Sequence, residues 1–296
     1  MKKVLITGKN SYVGTSFKKW ASTFINDLDI HEISLRDSNW HQEDFSSFDV
    51  IFHVAGIAHS DTSDVCEETV ARYYQINSEL TYEVAKKAKD ENVKQFIFMS
   101  SMIVYGESGR FDERKMITHD TIPNPANFYG NSKLQGELKL KTLISNEFKV
   151  AIVRPPMIYG PNSKGNYPKL SKLAQTLPIF PQVTNERSML YIENLCQFIY
   201  FLILEEDKGT FFPQNKTYVC TSDLVLKIAE VYKKKIKLTS VFNPIIRKLS
   251  KKQPIIHKIF GNFTYDLAMS NYKYDYRTTN FDESIKKTEK NAEISG

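Results

Sequence analysis

Tyr129 and Lys133 stand four residues apart in the segment Tyr129-Gly-Asn-Ser-Lys133. On a helix this spacing puts a phenol and an ammonium one turn apart on the same face. A free tyrosine gives up its proton only near pH ~10. A cation held beside it favours the phenolate, and a depression of about three units, worth roughly 4 kcal/mol, would make the residue a working acid/base near neutrality. The spacing alone is weak evidence in a chain with 16 tyrosines and 40 lysines and arginines; a solvated helix face would satisfy it as well. It gains meaning from Val4-Leu-Ile-Thr-Gly-Lys-Asn-Ser-Tyr-Val-Gly14 upstream. There a short apolar, β-branched run reads as a buried parallel strand that breaks at Gly8 and resumes as a helix after Gly14. Strand, tight turn and helix would aim free backbone N–H groups of the Gly8, Ser11, Tyr12, Val13 and Gly14 stretch at a pyrophosphate. The usual third glycine is Ser11 here, which adds a Cβ near the phosphate and a hydroxyl able to donate to it.

These residues need a scaffold, and the rest of the chain supplies one. Strand-like runs at Val4–Thr7, Ile30–Leu35, Val50–Val54, Gln95–Ser100 and Val150–Val153 alternate with helix-period stretches at Thr15–Phe24, Tyr73–Glu91 and Tyr129–Ser145. Such alternation predicts an α/β fold, a Rossmann-type doubly wound parallel sheet with ligands at the carboxyl ends of its strands. After Arg154 the texture changes: Pro155, Pro156, Pro161, Pro168, Pro178 and Pro181 crowd a short span with Gly160 and Gly165, which reads as irregular chain of a smaller substrate lobe. The expected division is 1–160, with 186–207 returning to it, against 161–185 and 208–296.

With 296 residues, 41% hydrophobic and 25% charged, the composition is that of a globular chain. Much of the net charge of +6 sits in Lys233, Lys234, Lys235, Lys237, Arg247, Lys248, Lys251 and Lys252. This cluster reads as a solvated helical face, with a loosely membrane-associated or polyanion-binding patch as the alternative. Neither a nucleic-acid partner nor a metal site is expected. Cys66, Cys196 and Cys220 are far apart and odd in number, which argues against a disulfide framework and for a reducing cytoplasm. No signal-peptide pattern opens the chain. The apolar run Leu195 to Leu204 contains Gln197 and is too short to span a bilayer, so it reads as a buried helix.

In their order, these motifs resemble the extended short-chain dehydrogenase/reductase superfamily, in its nucleotide-sugar epimerase, dehydratase and reductase branch. The likeness rests on Thr7-Gly8 to Gly14, Ser100-Ser101 to Val104-Tyr105-Gly106, Tyr129 to Lys133, Arg154-Pro155 to Tyr159-Gly160-Pro161, and Arg187 to Asn194. The resemblance implies Tyr129 as acid/base at a sugar oxygen, Lys133 holding the nicotinamide ribose, and Ser101 hydrogen-bonding the same sugar oxygen. Ser100 and Ala55, in the His53-Val54-Ala55-Gly56 turn, are implied cofactor neighbours. His53 itself reads as packed in its strand rather than catalytic. Asn77 resembles an asparagine that braces the structure near the cofactor, although a helix-initiating asparagine explains it nearly as well. Arg187 resembles a residue gripping the substrate diphosphate, a task suited to a planar guanidinium. Asn166 and Tyr167 are implied sugar-nucleotide contacts, and Asp266 is a candidate to close the site.

The cofactor is NADP or NAD. Arg36 after the second strand favours NADP, whereas Asp37 beside it leaves NAD open; Trp40 covers the adenine or caps the core. Members of this branch that dehydrate sugars carry an Asp-Glu pair where this chain has Met102 and Ile103, so dehydration is not expected. The reading reached is an NAD(P)H-dependent reductase of a UDP-linked 4-keto-6-deoxy hexosamine, resembling bacterial enzymes of capsule and surface-polysaccharide assembly that finish UDP-N-acetylfucosamine. The shortness of the chain, compared with 4-epimerases, supports it. The alternatives are an NAD-dependent UDP-hexose or UDP-HexNAc 4-epimerase and a non-catalytic NADP-binding scaffold. A homodimer packing Tyr73–Glu91 and Tyr129–Ser145 across a two-fold axis is also expected.

Overall fold

A computed structural model describes residues 1–58, 66–109, 113–250 and 253–293. Lys251 and Lys252 of the basic cluster lie outside the described residues. The chain forms two compact units, one of Met1–Gly106, Ile122–Pro155 and Leu195–Pro213, the other of Glu107–Thr121, Pro156–Asn194 and Gln214–Gly296.

The first unit is built on a parallel sheet of six strands in the order Gly209–Phe211, Lys149–Val153, Gln95–Met99, Val50–His53, Lys2–Thr7, Leu28–Ile33. The strand order reverses beside Lys2–Thr7, which opens a crevice at its carboxyl end, where such sheets bind ligands. Val4 to Ile6, Val50 to Phe52 and Phe96 to Phe98 are buried. That is why these strands read as continuous apolar runs. Gly209–Phe211 was expected in the smaller lobe; too short to show a pattern of its own, it joins the sheet by pairing Gly209 with Ala151.

The first helix, Tyr12–Phe24, begins at the turn itself because Ser11 caps it, accepting from Gly14 N at 3.2 Å. The helix expected over Tyr73–Glu91 starts earlier and is interrupted: Glu67–Tyr74 is α-helical, Gln75–Leu80 is a π segment, and Thr81–Asp90 is α-helical again. Asn77 therefore lies within a helix and does not initiate one. Thr81 Oγ1 donates to the Asn77 carbonyl at 3.1 Å, helping satisfy the wider turn. Between the second and third strands lies only a 3₁₀ turn, Ser38–Gln42. Its Trp40 is buried with Phe45, Ile51, Phe96 and Phe148, so the indole packs the core and is not available to cover an adenine.

The helix Phe128–Lys141 is capped by Asn127, whose Oδ1 accepts from Gly130 N at 2.9 Å. It buries Gly130, Ser132, Lys133, Gly136, Glu137 and Leu140, a face that is largely not apolar. Gly136 lets it approach the π segment so closely that a Cβ there would lie 2.4 Å from Asn77 O.

The second unit contains three short parallel strand pairs: Met157–Tyr159 with Met189–Tyr191, Ile179–Pro181 with Lys237–Thr239, and Met116–Ile117 with Thr264–Tyr265. The proline-rich span is not irregular. It holds the helix Asn166–Thr176, with Pro168 in the first turn, where a missing N–H costs little. Arg187–Asn194 clusters with this unit, because Met189–Tyr191 pairs inside it and Arg187 bridges Val219 and Phe263. The chain returns to the first unit at Leu195, within the helix Ile192–Glu205. No described helix is long and apolar enough to cross a membrane.

Gly136→Val should lower stability. Overpacking against Asn77 costs about 1–3 kcal/mol, and valine recovers little of the ~1 kcal/mol that alanine gains over glycine in a helix. Urea unfolding should show a reduced midpoint for Gly136→Val and a smaller reduction for Gly136→Ala.

Candidate active site

At the carboxyl end of Lys2–Thr7 the chain turns through Gly8, whose φ is +119° and where a Cβ would lie 2.7 Å from Ala55 N. Backbone conformation and close approach both require glycine there. Gly8 N and Lys9 N donate to Ile33 O at 3.1 and 3.0 Å, tying the turn to the second strand. Ser11 has φ −70°, so no glycine is needed at that position. Its side chain serves as the helix cap, and its hydroxyl proton stays free to donate outward. The first-turn N–H groups of Tyr12 and Val13 follow, as an anion site at a helix N-terminus requires. Arg36 is exposed. Asp37 Oδ1 accepts from Asn39 N at 3.0 Å as the cap of the 3₁₀ turn.

After Val50–His53, Val54 N and Ala55 N both donate to Thr7 O, at 3.0 and 2.9 Å. At Gly56 a Cβ would lie 2.9 Å from Lys133 Nζ and 3.0 Å from Asn77 Oδ1. Asn77 clamps the next residue from both sides: its Oδ1 accepts from Ile57 N at 3.0 Å and its Nδ2 donates to Ile57 O at 3.1 Å. Nδ2 also donates to Ser132 Oγ at 3.0 Å, and Ser132 Oγ donates to Tyr129 O at 2.9 Å. His53 is fully buried, with Nδ1 2.8 Å from Thr7 Oγ1 and Nε2 3.1 Å from Thr81 Oγ1. Burial, aided by Lys133, pulls its pKa down to about 3, so it is a neutral packing group. Since Thr81 donates to Asn77 O, Nε2 carries the proton and Nδ1 accepts from Thr7.

Ser101 caps the 3₁₀ turn Met102–Tyr105, accepting from Ile103 N at 3.3 Å, and its hydroxyl lies by the Tyr129 phenol, where it favours the phenolate. The two hydroxyls expected at one sugar oxygen are thus adjacent. The expected depression of the phenol does not occur. Burial pushes Tyr129 up to about 12, opposed by the Ser101 hydrogen bond, with Tyr73 adding to the rise. Lys133 Nζ instead donates to Met99 O at 2.9 Å and lies 4.7 Å from the centre of the Phe98 ring. Burial pulls its own pKa down to about 8, against the upward pull of Glu137.

Glu137 was missed by the sequence reading. It continues the Tyr129, Lys133 stripe by one further turn and is fully buried. It accepts from Ser100 Oγ and, bidentately, from Arg154 Nη2 and from Nε at 3.0 Å. Arg154 Nη1 donates to Tyr105 OH at 2.6 Å. Ser100 is therefore a member of this network. The available signal was an arginine closing the apolar run Val150–Val153, since a buried guanidinium requires a carboxylate.

In the second unit, Asn166 and Arg187 line one cavity of about 50 Å³ with Met157, Leu173, Met189 and Leu224. Arg187 Nη1 donates to Gly261 O at 3.2 Å, and burial alone draws the guanidinium down to about 10. Without ligand the cavity is smaller than a nucleotide. A wider cleft of about 860 Å³ is lined by Arg114, Asn185, Glu186, Cys220 and Asn262. Tyr167 is no sugar contact: it is buried, stacked on Tyr159, and donates to Glu289 Oε1 at 2.6 Å. Asp266 caps the 3₁₀ turn Leu267–Ser270 through Ala268 N at 3.0 Å.

Residues 4–219 match the NAD dependent epimerase/dehydratase family, and the chain belongs to it. It is 28% identical over 292 residues to a UDP-glucose 4-epimerase of Vibrio cholerae, spanning 90% of this chain and 88% of that protein. It is 26% identical over 301 residues to an N-acetyl-alpha-D-glucosaminyl-diphospho-ditrans,octacis-undecaprenol 4-epimerase of Escherichia coli O157:H7, spanning 94% and 87%. Among solved structures, a UDP-glucuronic acid 4-epimerase from Bacillus cereus in complex with NAD superposes with a TM-score of 0.72 at 16% identity, covering 99% of each chain; this likeness concerns the fold. The protein is an NAD(P)-dependent enzyme of the nucleotide-sugar epimerase and reductase type.

Burial draws the Lys133 pKa down to about 8 from the ordinary lysine value of 10.5. Between those values the unfolded chain holds a proton that the folded chain has released, so this residue makes stability rise with pH across that window. Lys133→Met should lack the rise. In urea titrations between pH 8 and 10.5, the stability difference should move in favour of the wild type; parallel profiles would refute the assignment.

Proposed function

We propose that the protein is an NAD(P)H-dependent reductase of a UDP-linked 4-keto-6-deoxy hexosamine, such as the precursor of UDP-N-acetylfucosamine. The observation that carries this reading is the half-buried Tyr129 phenol beside Ser101, kept protonated by desolvation. A reductase must give a proton to the forming alkoxide, and a phenol that rests protonated is ready to do so. Ser101 shares the substrate oxygen and polarises the carbonyl. Lys133 and Asn77 meet at Gly56 and suit the nicotinamide ribose; the Gly8-to-Gly14 turn suits the diphosphate. When bound, the nicotinamide supplies the hydride. The residues fit such a group: Gly8 turns the chain tightly at the carboxyl end of its strand, the Tyr12 and Val13 N–H groups open the helix that follows, and Lys133 is a buried cation. Arg36 stands exposed while Asp37 is engaged as a cap, which favours the 2′-phosphate of NADP. Met102 and Ile103 cannot move protons, so dehydration finds no acid or base there. Arg187, a desolvated guanidinium, suits the substrate diphosphate, with Asn166 beside it. We place the enzyme in the cytoplasm, as a homodimer, in capsule or surface-polysaccharide assembly.

A second reading, an NAD-dependent 4-epimerase acting on a diphosphate-linked sugar, is favoured by the two relatives named above. A non-catalytic scaffold is disfavoured by the presence of both Tyr129 and Lys133.

Unfolding the purified protein and identifying any dinucleotide released separates the readings. An empty protein that consumes NADPH only with a UDP-4-keto-6-deoxy-HexNAc supports the reductase. Stoichiometric NAD, with UDP-GlcNAc and UDP-GalNAc interconverted without added cofactor, supports the epimerase. Tyr129→Phe should lower kcat by about 10²–10⁴ while dinucleotide affinity, followed by fluorescence titration, is retained. Arg36→Asp should shift the ratio of NADPH to NADH affinity by roughly 10–100-fold towards NADH, the loss of one charge-assisted contact.

A further inference from the structure

The helix Asn243–Ser250 is turned the wrong way round for a water-soluble surface. Its inward side carries Ser250, which is buried and donates to Arg247 O at 2.8 Å, and Asn243, whose Nδ2 donates to Gln182 O at 2.8 Å. Its outward side carries an apolar stripe beside the exposed Arg247 and Lys248. Phe242, Ile245 and Leu249 recur at intervals of three and four residues, hence on one face, and they are 43%, 58% and 47% exposed. Val241, just ahead of them, is 75% exposed. In an ordinary amphipathic helix such a stripe faces the core.

Exposed cations precede the stripe in the chain and interrupt it. Lys233, Lys234, Lys235, Lys237 and Lys248 are exposed, and the strand Lys237–Thr239 leads directly into the helix. Residues 231–265 contain nine lysines and arginines and no aspartate or glutamate, so the rest of the chain, with 31 basic and 34 acidic residues, is net negative. The excess basic charge of this protein is therefore concentrated in the segment that carries the apolar patch.

We propose that this patch docks the second unit on an anionic lipid bilayer, with Val241, Phe242, Ile245 and Leu249 entering the interface and the lysines meeting headgroup phosphates. Charge alone would suit any polyanion, but a nucleic acid offers no apolar medium for the four side chains, whereas the headgroup–acyl boundary does. A second copy of the chain on a two-fold axis would bring like cations face to face. The docking goes beyond the catalytic reading and does not rest on it.

The test is flotation of the full chain with vesicles of phosphatidylcholine alone and with phosphatidylglycerol at about a third of the lipid. The anionic vesicles should bind at least ~10-fold more protein, and the difference should collapse at about 0.5 M salt. The double variant Ile245→Ser, Leu249→Ser should lose about tenfold in binding while keeping its thermal midpoint. Leu249→Trp should show blue-shifted emission on anionic vesicles, quenched by brominated acyl chains. Absence of flotation would overturn the proposal. So would binding that the double serine variant leaves unchanged, which is adsorption by charge only, or a dimer in solution that the variant dissociates without any vesicle binding.

Discussion

The buried pair of Glu137 and Arg154 is the constraint on which the catalytic side of the molecule depends. The helix Phe128–Lys141 has to press a polar face against the sheet, since Tyr129 and Lys133 are useful only if they reach the strand ends. A polar face can be buried only if its groups are paired. Glu137 meets that demand one turn beyond Lys133, receiving the Arg154 guanidinium bidentately and the Ser100 hydroxyl. Such a pair adds little net stability of its own, but losing either partner strands a charge at a cost of about 3–5 kcal/mol. Its contribution is placement: it sets the rotation of the helix about its axis, and with it the direction of Tyr129 and Lys133.

Close approach is the companion condition. Gly136 lets the helix reach the π segment, and that segment aims Asn77 at the turn after the third strand. Asn77 then holds Ile57 by both backbone groups and reaches Ser132 on the site helix. A single amide thus joins the turn after the third strand to the helix carrying Tyr129 and Lys133. The π segment displaces Asn77 from its regular helical position, and Thr81 helps satisfy the carbonyl that this displacement leaves.

Burial also decides the electrostatics. Proximity of an ammonium would lower the phenol, and desolvation raises it; in this structure desolvation wins at Tyr129, and the same effect lowers Lys133. The two groups are therefore poised in opposite senses: the phenol stays protonated and the amine gives up its proton more readily.

The sequence by itself determined the parallel sheet, because strands buried on both faces must be largely apolar, as residues 4–6 and 96–99 are. It also determined the glycine turn at Gly8 and the stripe Tyr129, Lys133, because tight backbone approach and helical spacing are local properties. The partner of Arg154, the core position of Trp40, the π segment around Asn77 and the capping role of Asp37 were decided only by tertiary structure. So was the sign of the Tyr129 shift, which is the balance between the influence of the Ser101 hydroxyl and the exclusion of water by distant parts of the chain. Neither term is a property of neighbouring residues, and no local pattern records their difference.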